Sequence, residues 1–327
     1  LNAAPPGPAQ LQFNGVPGEF TTAHVNAAIH TNLTHDFFKH YQPDFTRLDL
    51  PVTANVNLTM LTCNAFFTPV GLSINFVVAD HRCVNTSYSS VVKHEYGHLV
   101  VNQLRLAQGA FGEGFADAVA ILMHDDPIIG HDFFGPGTFV RHIEQANEQY
   151  PCSGEIHVCG QVLAGVWWDL KTNLQAQYGQ ATGLELARRL FTEWSMITLG
   201  GRLRNSAHPG TAAEVLAVDD DDADLSNGTP NQAAICSAFH AHNLPCSNTV
   251  DCGSVRLRTS CRRGTITASV RGTPGLPMAL VLDGAIVSET ELSRLGRGSI
   301  RFRAAGAGEH VVCVEGCEGV CQTVFCD

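Results

Sequence analysis

No apolar run in the 327-residue chain reaches the roughly 18 residues that a membrane-spanning helix needs, so no span is expected. The longest apolar stretches are broken by His, Asp or Gly. No basic-then-apolar segment opens the chain, which leaves any targeting signal upstream of Leu1. Cys-x-x-Cys is missing as well, although there are twelve cysteines. Without that spacing a zinc-knuckle reading loses its basis, and the even number favours structural disulfides formed in an oxidising, extracellular compartment. Charge is scarce at 16% of residues, and lysine is absent after residue 250. Residues 251–327 hold 9 Arg against 8 acidic residues, a balance of +1. Residues 1–250 hold 11 basic and 23 acidic residues, or −12, within a total of −11. An acidic main body argues against nucleic acid as partner.

What is present fits a folded protein of one large and one smaller domain: 44% of residues are hydrophobic. Residues 1–19, rich in Pro, Gly and Ala, read as an extended arm. Apolar residues at helical spacing predict a helix over 22–41, and further helices are expected at 89–107, 113–124, 160–179, 183–197 and 229–243. Thr229 and Pro230 stand as cap and first-turn residues of the last of these. "VTANVNLTMLTC" (52–63) and "GLSINFVVAD" (71–80) alternate in the strand manner. After Pro245 the pattern changes to short strands between Gly-containing turns ("SVRLRTSC", "GTITASVRG", "MALVLDG", "SIRFRAAG", "HVVCVEG"), which suggests a small β-sandwich. The boundary at about residue 250 divides the cysteines six and six, so each part can close its own disulfides.

Chemistry concentrates in "VVKHEYGHLVV" (91–101). His94 and His98 stand four apart on the expected helix, so both imidazoles leave one face and can share a metal ion. Glu95 lies beside them, where a carboxylate can take a proton from water activated by the ion. The five-residue pattern alone arises by chance in about 3% of chains with this many His and Glu, and the bland reading is a buried helix with two hydrogen-bonded histidines. A third ligand decides between them. Fifteen residues after His98 comes "GEGFAD", in which Glu113 can be the third ligand. Asp117, one helical turn further, can hold a ligand histidine by its free N–H. Two imidazoles, one carboxylate and an open fourth position describe a catalytic zinc site, not a structural one.

With these residues the sequence resembles the gluzincin zinc metallopeptidases of the thermolysin and fungalysin type. The resemblance implies an α+β fold of two lobes with the zinc helix at the cleft, followed here by the β-sandwich, and a zinc endopeptidase acting on proteins or peptides. It covers roughly residues 20–250. "CNAFFTPVGLSINF" (63–76) is similar to the family's substrate-pairing edge strand and implies that Asn64 and Ala65 line the cleft. "TFVRHIEQANEQYP" (138–151) looks like the segment whose arginine binds a substrate carbonyl, which implies Arg141. "GEIHVCGQVLAGVWWDL" (154–170) resembles the segment whose histidine stabilises the transition state, which implies His157. The chain departs from the family twice. No tyrosine occurs between the zinc helices (99–112), and Gly112 precedes the third ligand where thermolysin has Asn, so one contact to the site is expected to be missing.

Two other classes compete with the endopeptidase: a degraded peptidase acting as a binding protein or adhesin, and an exopeptidase on the same scaffold. The intact set of ligands, base and Asp117 speaks against the first, and no group to grip a chain terminus is evident for the second. The chain is read as a secreted monomer. The acidic run "VDDDDADLSNG" (218–228) matches no EF-hand, so Asp219–Asp224 read either as a Ca²⁺ site or as a solvated acidic loop. Trp167 and Trp168 read as core. Asn32, Asn57, Asn85 and Asn227 occupy N-x-Ser/Thr sequons. The expected disulfides in the first part are Cys63–Cys83, Cys152–Cys159 and Cys236–Cys246. The last six cysteines allow 15 arrangements.

Overall fold

The structure is a computed structural model that describes residues 15–201, 204–246, 255–272, 277–283, 285–292, 297–304, 306–314 and 320–326. The fold is α+β. Most of the expected extended arm (residues 1–14) lies outside the described residues, and its end is already helical. Helix α1 (Glu19–Tyr41) begins three residues before the predicted start and buries Ala23, Ala27, Thr34 and Phe38 on one face. Three short strands follow: β1 (Thr53–Leu58), β2 (Ala65–Thr68) and β3 (Ser73–Val77). They form a sheet in the order β1-β3-β2, with β1 parallel and β2 antiparallel to β3. β2 is therefore an edge strand. Pairing ends at Leu58, so the second half of the predicted 52–63 strand is a loop.

Helices α2 (Ser89–Gln103) and α3 (Ala110–His124) pack side by side. α3 is apolar on nearly every side and buried along almost its whole length, as a helix without a polar face must be. The turn into α3 needs Gly109, which sits at φ +69°, ψ −145°, a region closed to residues with a Cβ. A two-stranded ladder, β4 (Ile128–Ile129) with β5 (Arg141–His142), runs into the short helix α4 (Ile143–Ala146). α5 (Ile156–Tyr178) and α6 (Gln180–Ile197) complete the core with α3. Trp167 and Trp194 are both fully buried, with ring centroids 5.3 Å apart, and Trp168 is buried beside them. α7 (Thr211–Asp219) has no counterpart in the sequence reading; α8 (Gln232–Ala241) starts at Asn231 as cap, two residues later than expected.

From Val255 onward a separate apolar cluster forms, drawn entirely from residues 255–326. Two antiparallel sheets contribute to it. One orders its strands β10-β7-β6, from β6 (Arg256–Arg262), β7 (Thr265–Arg271) and β10 (Arg297–Arg303). The other orders them β12-β11-β8-β9, from β8 (Pro277–Leu282), β9 (Ala285–Glu291), β11 (Gly308–Val314) and β12 (Cys321–Cys326). β9 and β12 were not anticipated. Cys261–Cys326 ties a strand of one sheet to a strand of the other, and Cys313–Cys321 joins the neighbours β11 and β12. Cys252 and Cys317 lie outside the described residues. In the first part the bonds are Cys63–Cys83, Cys152–Cys159 and Cys236–Cys246, as expected.

Candidate metal centre

Two helices bring the cluster together. α2 presents His94 and His98 one turn apart, with their Nε2 atoms 3.2 Å from each other. α3 presents Glu113 from its first turn, where the helix dipole favours a negative side chain. Glu113 Oε2 lies 3.4 Å from His94 Nε2, and Glu113 Oε1 lies 3.6 Å from His98 Nε2. Ligand atoms 2.0–2.2 Å from one tetrahedral ion stand about 3.3–3.6 Å apart, and the three separations, two of them to different Glu113 oxygens, are close to what a zinc-sized ion needs. A further observation agrees with this fit. Glu113 Oε2 and Glu95 Oε2 are both buried without a hydrogen-bond partner, a costly state that a bound cation and its water would relieve.

The helices can approach this closely because small residues face each other. A Cβ on Gly97 would lie 2.6 Å from Ala116 Cα, and one on Gly114 would lie 2.4 Å from the Gly160 carbonyl oxygen. These contacts lock α2 to α3 and α3 to α5, with Glu113 beside both.

Around the cluster each histidine has its own support. Asp117 is fully buried and accepts from His94 Nδ1 at 2.7 Å. Arg141 donates to the same carboxylate twice, from Nε and from Nη2, both at 2.7 Å. Burial pushes the Asp117 carboxyl up, but the Arg141 and His94 charges outweigh it and hold it at about 2. For Arg141 burial disfavours the cation, and Asp117 more than restores it. His98 Nδ1 meets Gln108 Oε1 at 2.9 Å, while Gln108 Nε2 donates to the His98 carbonyl. The contact expected to be lost at Gly112 is thus supplied by Gln108, four residues earlier. A Cβ at Gly112 would lie 2.3 Å from Gln108 Oε1, so glycine there makes room for this side chain. The sequence reading missed Gln108, because a glutamine in a loop carries no spacing signal of its own.

Glu95 points into the same space. Burial raises its pKa, partly offset by the neighbouring histidines, which suits a carboxyl that takes and returns a proton. Glu113 is displaced the other way: burial raises it, but the adjoining His94 and His98 rings hold it well below the carboxylate range.

A cleft of about 380 Å³ opens over these groups, lined by Asn64 and Ala65 of the edge-strand segment, by His94, Glu95, His98 and Glu113, and by His157. His157 lies in the first turn of α5, not ahead of the helix. Its Nε2 stands 3.3 Å from Glu113 Oε2, and Glu155 Oε1 lies 2.7 Å from its Nδ1. Glu155 also caps α5 by accepting from the His157 backbone N–H. Among the described residues no tyrosine lines the cleft. A smaller side pocket of about 120 Å³ adjoins Glu95, walled by Val91, Ile129, Phe133, Phe134 and Val140, with Arg141 at its margin.

The acidic run is organised differently from a ligand cage. Asp219 is buried and accepts from Thr229 Oγ1, Asn231 N–H and Asn231 Nδ2, tying α7 to the start of α8. Asp222 accepts from Asp224 N–H and Asn227 Nδ2. Carboxylates of Asp220, Asp221 and Asp222 come within 4.8 Å of one another, two of them on exposed residues, and Asp220 Oδ1 is buried without a hydrogen-bond partner.

No protein-family model matches the chain, and no curated protein sequence matches it. Among solved structures, the precursor of protealysin, a metalloproteinase from Serratia proteamaculans, superposes with a TM-score of 0.53. The match covers 72% of this chain and 82% of that one at 14% identity. The chain therefore shares its α+β fold with a metalloproteinase. At such identity the likeness speaks to the fold, and the chemistry has to be argued from the residues.

Proposed function

We propose that this protein is a secreted zinc endopeptidase that hydrolyses peptide bonds in proteins or peptides. The observation that carries the reading is the cluster of His94 Nε2, His98 Nε2 and the Glu113 carboxylate, with separations of 3.2–3.6 Å, next to a buried glutamate with an unpartnered oxygen. The reading divides the chain into a two-lobed peptidase (1–250), with the His94–His98 helix at the cleft, and a β-sandwich domain (251–327). Five disulfides and the lack of any helix long and apolar enough to cross a membrane, among the described residues, fit an extracellular protein.

A zinc ion held by His94, His98 and Glu113 would supply Lewis-acid polarisation of the scissile carbonyl and acidification of water. The chain's own residues do the rest. Glu95 accepts the proton of the attacking water and returns it to the leaving amine, a role that its raised pKa favours. His157 Nε2 donates to the oxyanion as it forms, while Glu155 holds the ring from the opposite nitrogen. Asp117 fixes the orientation of His94. Arg141 engages Asp117 through Nε and Nη2, so its second contribution, orienting a substrate carbonyl, falls to Nη1. Asn64 and Ala65 open the unpaired edge of the sheet to an extended substrate. The apolar side pocket accepts an apolar side chain beside the cleaved bond.

The test is metal content together with one substitution. The purified protein should hold one zinc per chain, lose casein hydrolysis on chelation and regain it with Zn²⁺. Glu95→Gln should keep the zinc and lose activity by about 10³-fold or more, because the base goes while the ligands stay. Full activity in metal-free protein would overturn the reading.

A further inference from the structure

The outer face of the three-stranded sheet β10-β7-β6 is unlike the rest of this acidic protein. Strand alternation sends Leu257, Ile266, Ala268, Val270 and Ile300 inward, where they are buried. The opposite face is read off the register in rows. Arg256, Arg271 and Arg297 stand side by side across the three strands. Arg258 is next, in a row with Ser269 and Ser299, then Arg301 with Ser260 and Thr267. Arg262 and Arg303 flank Thr265 in the last row. All seven arginines are exposed, and every other position on the face is Ser or Thr. The face carries no carboxylate. Arg258, Arg262, Arg271, Arg301 and Arg303 make no ion pair among the described residues.

Like charges directly opposite one another across strands weaken a sheet, so a face of this kind calls for an anion to neutralise it. For Arg258, Arg262, Arg271, Arg301 and Arg303 no carboxylate among the described residues does so. The absence of lysine is informative too: point charges would attract any anion, whereas the planar guanidinium fork grips carboxylate, sulfate or phosphate oxygens in pairs. No aromatic side chain stands on the face to stack with bases or to enter a bilayer. Hydroxyls interleaved with arginines suit a polymer that carries both hydroxyl and acidic groups.

We infer that the outer face of β10-β7-β6 is a docking surface for an acidic polysaccharide, one bearing sulfate or carboxylate groups, which would hold the enzyme on an anionic matrix while the metal site works elsewhere on the chain.

The experiment measures binding of the full chain to dextran sulfate and to polygalacturonate at low salt. Uncharged dextran, double-stranded DNA and phosphatidylglycerol vesicles serve as the comparison arms. Binding to at least one of the two acidic polysaccharides is expected, despite the net charge of −11, and it should weaken steeply with salt. The triple variant Arg258→Ser, Arg271→Ser, Arg301→Ser should bind about tenfold or more weakly, with hydrolysis of a short neutral peptide unchanged. That peptide assay also reports folding. Should the triple variant lose it, Arg301→Gln alone takes its place, with a loss of about threefold expected. No binding to either polysaccharide, undiminished binding by the folded variant, or equal or tighter binding to DNA or to vesicles would each overturn the proposal.

Discussion

His157 illustrates how a single side chain acquires a role from its neighbours. Alone it is one of 15 histidines. In the fold, Glu155 holds one ring nitrogen and the other faces the Glu113 carboxylate across the cleft. Replacing it with alanine should lower kcat by about 10²-fold or more, since it would donate to charge that develops only in the transition state. Zinc content should be unchanged and KM should move less than kcat. A near-wild-type kcat would send the role to another group. His30 offers a different check. Burial, reinforced by the Lys93 charge, lowers its pKa from 6.5 to about 4, and its Nδ1 is buried without a partner. A histidine depressed on folding takes up its proton first in the unfolded chain. Stability should therefore fall as pH drops from about 6.5 towards 4. His30→Leu should flatten that slope in urea titrations; an identical slope in both proteins would refute the contribution.

At the scale of elements, the site depends on how closely α2, α3 and α5 approach. Gly97 lies inside a helix, where alanine is usually better by about 1 kcal/mol. Here the added Cβ would sit 2.6 Å from backbone atom Cα of Ala116, and overpacking of this kind costs about 1–3 kcal/mol. The clash should win. Gly97→Ala is expected to lower the melting temperature and, because it parts the two helices that hold the ligands, to weaken zinc retention against a chelator. A variant with higher stability and unchanged zinc affinity would show that the helices can yield. Periodicity made most of these helices legible, since a long stretch with one apolar face has few alternatives. It placed their ends less well. α3 starts at Ala110 and α5 at Ile156, each a few residues before the predicted start, because turn geometry at Gly109 and the Glu155 cap set those starts. α7 escaped altogether: nine residues give too short a pattern to stand out.

For the whole molecule, two features run in parallel. The apolar cluster of residues 255–326 takes nothing from the earlier part of the chain, and every described disulfide stays on its own side of residue 250. A chain ending at Cys246 is therefore expected to fold and to cleave short peptides at close to the full-length rate. On the polysaccharide proposal it would at the same time lose binding to the acidic polymer. Aggregation of the truncated chain under conditions where the full chain is soluble would mean that the two parts need each other.

The sequence by itself determined the proposed donor set. His94, Glu95 and His98 lie within five residues on one helix, and Glu113 and Asp117 lie one turn apart on the next, so local geometry already aims each group in the right direction. The alternation that builds the arginine face was equally local. Only the tertiary structure decided that Gln108, not residue 112, supports His98, that Arg141 first engages Asp117, and that Asp219 serves as a brace between α7 and α8. Those outcomes rest on side chains meeting across separate elements. Such meetings depend on packing distances of a few ångströms, which no periodicity along the chain encodes.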